Sequence, residues 1–428
     1  MFRKNNKVLD SYFFVLFSLI PTSIILGPAI SLFNILLINF SFLFLLIFTK
    51  EYKFLSNKTV KLILIFYLYL IFNSIVSENF SIGALRNFGF IRFIILFFAF
   101  NYFFYHKNFF NKILIIWTLT LFIITIDTYI ESFVGTNILG YGKIYGARIV
   151  SFFKDEPIVG GYINSFYLII VGYFFSLNLK FSENYRYFIL AVSLLFLWAI
   201  ILTGERSNAI KAIIGFLIFY FINNNFMIKE KIISILVVFM LIGSLINNSY
   251  FLKVRYKGQI LDPILNTYNS KVKKIENENN YTNLRKNFGA SIIYIKLYQS
   301  GFNVFKNYPF FGVGNKNYRL ETCTGVRKPN YICRTHPHQI YFEFLAEHGL
   351  IGTIILLLIL FNLVFTKFAT ILRSKNLIQI GCFIFLINLF LPLLPSGAFF
   401  ADYSLTIFWL NLSLMYSVNK KTNIFAKI

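Results

Sequence analysis

The hydrophobic residues of this chain fall into long, near-continuous runs separated by short polar segments. The runs are about 17 to 25 residues long, which an α-helix needs to cross a hydrocarbon core of roughly 30 Å. Barrel strands would be shorter and would alternate apolar and polar positions. The pattern therefore predicts an all-α polytopic membrane protein with about twelve transmembrane helices. They are expected at residues 11–27, 29–49, 59–77, 87–105, 112–130, 158–179, 187–203, 207–224, 231–247, 340–366, 376–395 and 402–418.

Positive residues recur in every second loop, which is where cytoplasmic loops of membrane proteins accumulate them. The turns after the first and eleventh runs carry almost no positive charge. The alternation predicts an even number of helices with both termini in the cytoplasm. The residues that fall on the cytoplasmic side are Lys50, Lys53, Lys58, Lys61, Lys107, Lys112, Lys180, Arg186, Lys229, Lys231, Lys367, Arg373 and Lys375.

A long polar segment divides the chain into helices at 1–247, a large external loop subdomain at 248–337, and helices at 338–428. Long loops cross the membrane largely regardless of their charge, so the lysines of this loop do not contradict its placement on the external side. Within it, residues 290–306 have aromatic and aliphatic side chains at helical spacing, which indicates a helix on or against the membrane. Cys323 and Cys333 share the loop. They would pair in an oxidising compartment, and two separate thiols are the alternative.

The composition of the chain indicates that the lipid bilayer is its main partner. The chain is 57% hydrophobic and its mean hydropathy is +0.67, more apolar than a soluble domain of this size. The net charge of +24, from 41 basic and 17 acidic residues, is compatible with an anionic substrate or a nucleic acid. Because the lysines follow the topology and no contiguous basic and aromatic surface is present, nucleic acid is not expected as a partner.

Three of the four histidines, His336, His338 and His348, surround the start of the tenth run. Titratable side chains at a membrane edge are costly, which favours a function for them. Pro337 suits the first turn of a helix, so His338 is expected in that first turn. There the helix dipole disfavours the imidazolium, and free backbone donors attract an anion. A general base beside a phosphate site is the resulting hypothesis.

The alternatives for His338 are an interfacial histidine that satisfies the helix end and a zinc ligand. Glu343 and Glu347, one turn apart on the same helix face, strengthen the functional interpretation. Histidines and carboxylates can bind zinc, but no familiar zinc spacing is present. No metal is therefore expected.

Arginines are the candidate phosphate ligands, because a guanidinium grips phosphate with two parallel hydrogen bonds. Arg206 lies in a tight turn at 203–208, where a snorkelling arginine paired with Glu205 is the alternative. Arg285 in the long loop is the second candidate, and Arg148 either lines a groove or caps the sixth helix. The competitors of Arg285 are Arg255, Arg319, Arg327 and Arg334.

Several of these segments together resemble the signature of the O-antigen ligase and polymerase family. The resemblance covers residues 308–314, Cys323 and Cys333, 335–339 and 347–352. The family's pattern is a histidine and a small amide or hydroxyl residue, nine residues, glycine, two residues, glycine. It fits from His338 to Gly352, with Gln339 in the second position. The turn at 203–207 also resembles the family's Thr-Gly-Ser-Arg turn, with Glu205 in place of the small residue.

The resemblance implies a bacterial inner-membrane glycosyltransferase with a GT-C-like fold and no cofactor, nucleotide sugar or ATP. Such enzymes transfer glycan from undecaprenyl diphosphate, on the periplasmic face, to lipid A-core or to another glycan. By resemblance His338 activates the acceptor hydroxyl, and Arg206 and Arg285 hold the diphosphate. The supporting residues are His336, Gln339, Glu347, Gly349, Gly352 and Arg148.

Two other classes of function remain open at this point. A flippase for lipid-linked oligosaccharides would place its charged residues along a central cavity within the helices, whereas here they concentrate on one face. A non-catalytic partner in polysaccharide assembly would not need His338 for transfer.

Overall fold

We describe a computed structural model of the chain over residues 7–107, 109–142, 148–154, 156–177, 183–261, 290–324 and 330–426. These residues form helices and connecting segments and contain no strand. The helices are α1 (Lys7–Ser18), α2 (Ile20–Leu26), α3 (Pro28–Thr49), α4 (Lys58–Ile75), α5 (Phe80–Gly89), α6 (Ile91–His106), α7 (Phe110–Val134), α8 (Val159–Leu177), α9 (Glu183–Leu202), α10 (Arg206–Ile222), α11 (Ile228–Asn248), the single turn α12 (Tyr250–Leu252), α13 (Ala290–Asn307), α14 (Tyr318–Cys323), α15 (Ile340–Phe365), α16 (Phe368–Ser374), α17 (Leu377–Leu389) and α18 (Asp402–Ser417). The all-α polytopic architecture expected from the sequence is confirmed.

In the described part, 8 helices are long and apolar enough to cross a membrane, and the bent pair α1–α2 raises the number to 9. Three further helices coincide with expected spans but are shorter: α10 with 17 residues, α17 with 13 and α18 with 16. Short helices at membrane depth leave room for non-helical chain that lines a cavity. Twelve spans therefore stay a prediction.

The centre of the bundle is built from α6, α8, α17 and α18, which are buried over most of their length. Helices α8 and α17 cross with their backbones in contact. A Cβ added to Gly381 would lie 2.6 Å from the carbonyl oxygen of Leu168, and one added to Gly172 would lie 2.6 Å from that of Leu377. Small residues of this kind allow close helix packing where lipid supplies no hydrophobic driving force.

The two ends of the bundle differ in what they hold. At one end, Lys107 pairs with Asp10 at 2.8 Å, and Asn423 donates to the carbonyl of Asn101 at 2.8 Å. Residues near both described ends of the chain therefore lie together. At the opposite end, Asp402 at the start of α18 pairs with Arg86 and Arg92. Residues 335–339, here called the histidine segment, contact Ser396 at the same end.

The described parts of the segment between α11 and α15 pack on the bundle. Helix α13 covers residues 290–307 and lies against α15, so the helix expected at 290–306 is present. The boundaries of the loop subdomain, 248 and 337, stay a prediction. The structure joins Cys323 and Cys333 in a disulfide, which closes the short segment between α14 and the histidine segment.

We expect Gly381→Ala to destabilise the protein, because its Cβ would collide with backbone that cannot move away. Overpacking of this kind costs about 1–3 kcal/mol. Gly243 is the matched control, since a Cβ there meets nothing within 4 Å and alanine is the better helix former by about 1 kcal/mol. Thermal unfolding in detergent should show a lower midpoint for Gly381→Ala and an equal or higher one for Gly243→Ala. Equal midpoints for the two variants would contradict the close crossing.

Candidate active site

His338 stands just outside α15 and not in its first turn. The helix begins at Ile340, and the side chain of Gln339 caps it by accepting from the N–H groups of Tyr341 at 2.8 Å and Phe342 at 3.1 Å. The expectation that His338 occupies the first turn is therefore wrong, because Gln339 supplies the cap that the sequence analysis overlooked. His338 adopts a φ of +60°, a left-handed conformation that non-glycine residues rarely adopt and that functional sites often hold.

The imidazoles of His336 and His338 lie side by side, with ring centres 4.0 Å apart. Burial lowers the pKa of His338 to about 4, and the positive charge of Arg334 adds to the effect. Burial also lowers the pKa of His336 to about 3, together with the neighbouring His338. Both rings are therefore neutral at pH 7. Neutrality was expected from the helix dipole, but burial is the main cause.

Ser396 holds the histidine segment in place with its backbone. Its N–H donates to the carbonyl of His338 at 2.8 Å, and its carbonyl lies 3.3 Å from Nε2 of His336. Nδ1 of His336 is 3.0 Å from the hydroxyl of Thr335. His336 is thus buried and engaged on both ring nitrogens, whereas His338 is half-buried. His338 is the better placed of the two to meet a substrate.

Tyr294 of α13 connects the histidine segment to Arg206. Its ring centre is 5.9 Å from that of His338, and the guanidinium carbon of Arg206 lies 5.9 Å from the same ring centre. The sequence analysis missed Tyr294, because its position against both groups depends on how α13 packs. Arg206, at the first position of α10, and His338 therefore both lie against one aromatic ring.

Arg148, Arg206 and Arg255 form an arginine cluster beside Tyr294. The pKa of Arg255 is lowered to about 10 by burial, with the charges of Arg206 and Arg148 contributing. Nε and Nη2 of Arg255 donate to the carbonyl of Gly204 at 3.1 and 2.8 Å, and Nη2 of Arg148 donates to that of Pro157 at 3.4 Å. Three guanidinium groups close enough to repel one another are suited to a multiply charged anion. Arg285 lies outside the described residues.

A family model supplies the identity of this part of the chain: the model described as O-antigen ligase matches residues 191–357. Residues 191–357 are an O-antigen ligase domain. The match contains Arg206, Tyr294, His338 and both glycines of the histidine motif, and Arg148 lies outside it. The family resemblance of the sequence is confirmed, as is a membrane protein with a ligase-type function in lipopolysaccharide biosynthesis. No curated protein matches the chain.

Glu205 of the O-antigen ligase domain caps the N-terminus of α8. Its carboxylate accepts from the N–H groups of Gly160 at 2.7 Å and Gly161 at 3.0 Å, and from the side chain of Asn208 at 2.7 Å. Negative charge at a helix N-terminus is stabilising. The suggested cap of α8 by Arg148 is therefore replaced by Glu205, and the glutamate in the family's small-residue position has a structural explanation.

Glu343, Glu347 and His348 of the O-antigen ligase domain are buried away from the histidine pair. The carboxylate oxygens of Glu343 both lie 3.0 Å from the N–H of Phe399, and the carboxylate of Glu347 lies near the backbone of Lys316 and Tyr318. Glu343 thereby holds the segment before α18 in place, and Glu347 stays a prediction as a supporting residue of the site. Within the described ranges, no group of three His, Cys, Asp or Glu side chains is arranged to hold a metal.

Gly349 breaks α15 and receives the segment at 309–314. Its φ is +63° and its ψ is −169°, and a Cβ there would overlap the backbone of Phe310 and Phe311. The N–H groups after the break bond to the carbonyls of Pro309 at 2.7 Å and Phe310 at 3.1 Å. The turn at 309–314 thus packs its backbone directly against α15. Gly352 leaves room for Tyr69, whose hydroxyl is 3.1 Å from Nδ1 of His348.

We expect Glu205→Gln to destabilise the O-antigen ligase domain, because the amide nitrogen would face the N–H donors of Gly161 and Asn208. Leaving such buried donors unsatisfied costs about 1–3 kcal/mol. Glu156→Gln is the control, because Glu156 is exposed in a nearby segment. Thermal unfolding should show a lower midpoint for Glu205→Gln alone, and an unchanged midpoint would argue against the helix-cap role.

Proposed function

We propose that the chain is a glycosyltransferase that moves a glycan from undecaprenyl diphosphate to a glycan acceptor. The acceptor is lipid A-core in a ligase or a second lipid-linked glycan in a polymerase. The observation that supports this is that a neutral His338 and Arg206 of the arginine cluster both lie against the ring of Tyr294. A base for the incoming hydroxyl and cations for the leaving diphosphate are what this displacement requires.

In the proposed reaction, the acceptor hydroxyl attacks the anomeric carbon of the donor glycan and its proton passes to the imidazole of His338. The bond between that carbon and the diphosphate oxygen breaks, and the diphosphate leaves with both electrons of the bond. Arg206, Arg148 and Arg255 then stabilise the charge that develops on it. Since diphosphate is already a good leaving group, the reaction needs neither ATP nor a metal ion. Arg285 stays a prediction for this clamp.

The proposal also assigns the sides of the bacterial inner membrane. The end that carries the histidine segment would face the periplasm, where lipid-linked glycans are used. The opposite end, where Lys107 and Asp10 pair, would face the cytoplasm with both termini. Loop charge supports this assignment, and labelling of single cysteines from either side of sealed vesicles would test it.

We expect His338→Gln to lower the rate of glycan transfer by roughly 10²- to 10⁴-fold, the usual contribution of a general base. His106→Gln is the matched control, because His106 lies at the other end of the bundle beside Glu51, with Nε2 3.0 Å from the carboxylate. The assay uses purified protein, undecaprenyl-diphosphate glycan, and either lipid A-core or a second lipid-linked glycan. The acceptor that gains sugar separates ligase from polymerase. Full activity of His338→Gln would favour a non-catalytic assembly role.

The pH profile of transfer should reflect the low pKa of His338. A base acts in its neutral form, so activity should persist below the ordinary histidine pKa of about 6.5 and fall as the pH drops through about 4. Removing the charge of Arg334 favours the imidazolium, so Arg334→Gln should move this acid limb to higher pH. Arg319→Gln, at an exposed position, should leave it in place. An acid limb near 6.5 in the unmodified protein would contradict the buried base.

A further inference from the structure

A cavity lies beside the histidine segment. It has a volume of about 200 Å³, smaller than the roughly 300–1,000 Å³ of sites for drug-sized ligands. Ser396 and Ile340 line it on the side of His338, and Ser207 and Asn208 line it on the side of Arg206. A ligand in this cavity would therefore lie between the residues that adjoin the histidine segment and the first turn of α10.

Lys211 of α10 also lines the cavity and is 5% exposed. Among the described residues, no side chain forms an ion pair or hydrogen bond with its ammonium group. Its carbonyl accepts from Asn388 at 2.9 Å, which ties this turn of α10 to α17. Taking an uncompensated ammonium group out of water costs several kcal/mol, and ionisable residues at membrane depth usually serve a partner.

Glu205 is the acidic residue of the cavity wall, and it does not pair with Lys211. Its two carboxylate oxygens accept from Gly160, Gly161 and Asn208. In the described part of the chain, the cavity thus presents a cation that no carboxylate pairs with. An anionic group of a ligand would balance it.

The other walls of the cavity suit a sugar. Asn164, Asn208, Ser404 and Tyr403 supply amide and hydroxyl groups that can bond sugar hydroxyls, and Phe385 and Phe399 add aromatic surface. The hydroxyls of Tyr403 and Ser396 are buried without a hydrogen-bond partner in the described structure. Polar groups of this kind normally find partners, so a bound sugar would complete the site.

We propose that this cavity binds the reacting sugar of the acceptor, and that this sugar carries an anionic group that pairs with Lys211. The inference rests on the proposed function, because a general base must contact the attacking hydroxyl. The cavity adjoins the histidine segment through Ile340 and through Ser396, whose N–H bonds to the carbonyl of His338. The size of the cavity matches one monosaccharide unit. The anionic group is a carboxylate or a phosphate, since both accept charge-assisted hydrogen bonds from an ammonium group.

The test measures binding of four probes to the full chain in detergent by ligand-observed NMR: glucuronate, glucose 6-phosphate, glucose and inorganic phosphate. We expect the two anionic sugars to bind at least about tenfold more tightly than glucose, a difference of about 1.4 kcal/mol. Lys211→Met should abolish this preference, and Lys211→Arg should retain part of it. Lys229→Met, at an exposed position of α11, is the control and should change nothing.

Four results would overturn the proposal. The first three are equal binding of charged and neutral sugars, an undiminished preference in Lys211→Met, and inorganic phosphate binding as tightly as glucose 6-phosphate. The fourth is an equal loss of prenyl-diphosphate binding in Lys211→Met and Arg206→Gln, which would place Lys211 in the binding site of the donor diphosphate. Thermal unfolding checks that Lys211→Met is folded, as expected when an unpaired charge is replaced by a side chain of similar shape.

The outcome is separable from that of the proposed function. If His338→Gln abolishes transfer while Lys211→Met leaves the preference for anionic sugars unchanged, the transferase proposal is supported and the acidic-sugar site is contradicted. If the unmodified protein transfers no glycan but binds acidic sugars through Lys211, the reverse holds.

Discussion

The architecture of the site depends on satisfying backbone N–H groups where helices start inside a membrane protein. Water is scarce there, so each donor needs an acceptor from the protein itself. Glu205 supplies it for α8, Gln339 for α15, and Glu343 for the segment that leads into α18. These three contacts bring the start of α8, the turn before α10 and the histidine segment to one end of the bundle.

The same contacts shape the electrostatics of that end. The carboxylates of Glu205 and Glu343 accept from backbone N–H groups, and the positive charge that acts on His338 is that of Arg334. Burial and this positive charge both favour the neutral imidazole. This end of the bundle thus holds both a neutral base and a cluster of cations. The combination suits a reaction in which the base accepts a proton and a diphosphate leaves.

Sequence patterns located the main parts of the site but not their contacts. Some features of the site are local, and the length of hydrophobic runs and the positions of glycine and proline reveal them. They are the helices, the turn before Arg206 and the histidine segment. The position of His338 was misjudged because a glutamine side chain, which is an unusual cap, starts the helix only at Ile340. Tyr294 and Arg255 had no distinguishing local signal. Lys211 looked like an ordinary lysine of an apolar run, and its burial depends on α17 and α18.

The sequence by itself determined that this is a multi-helix membrane protein with an O-antigen ligase motif, because hydrophobic run length and motif spacing are properties of neighbouring residues. The tertiary structure decided which cations meet the histidine, which carboxylates are committed to backbone, and where a cavity opens. Those features join residues from α8, α10, α13, α15 and α18. Contacts over such separations are set by how helices pack, which no local pattern encodes.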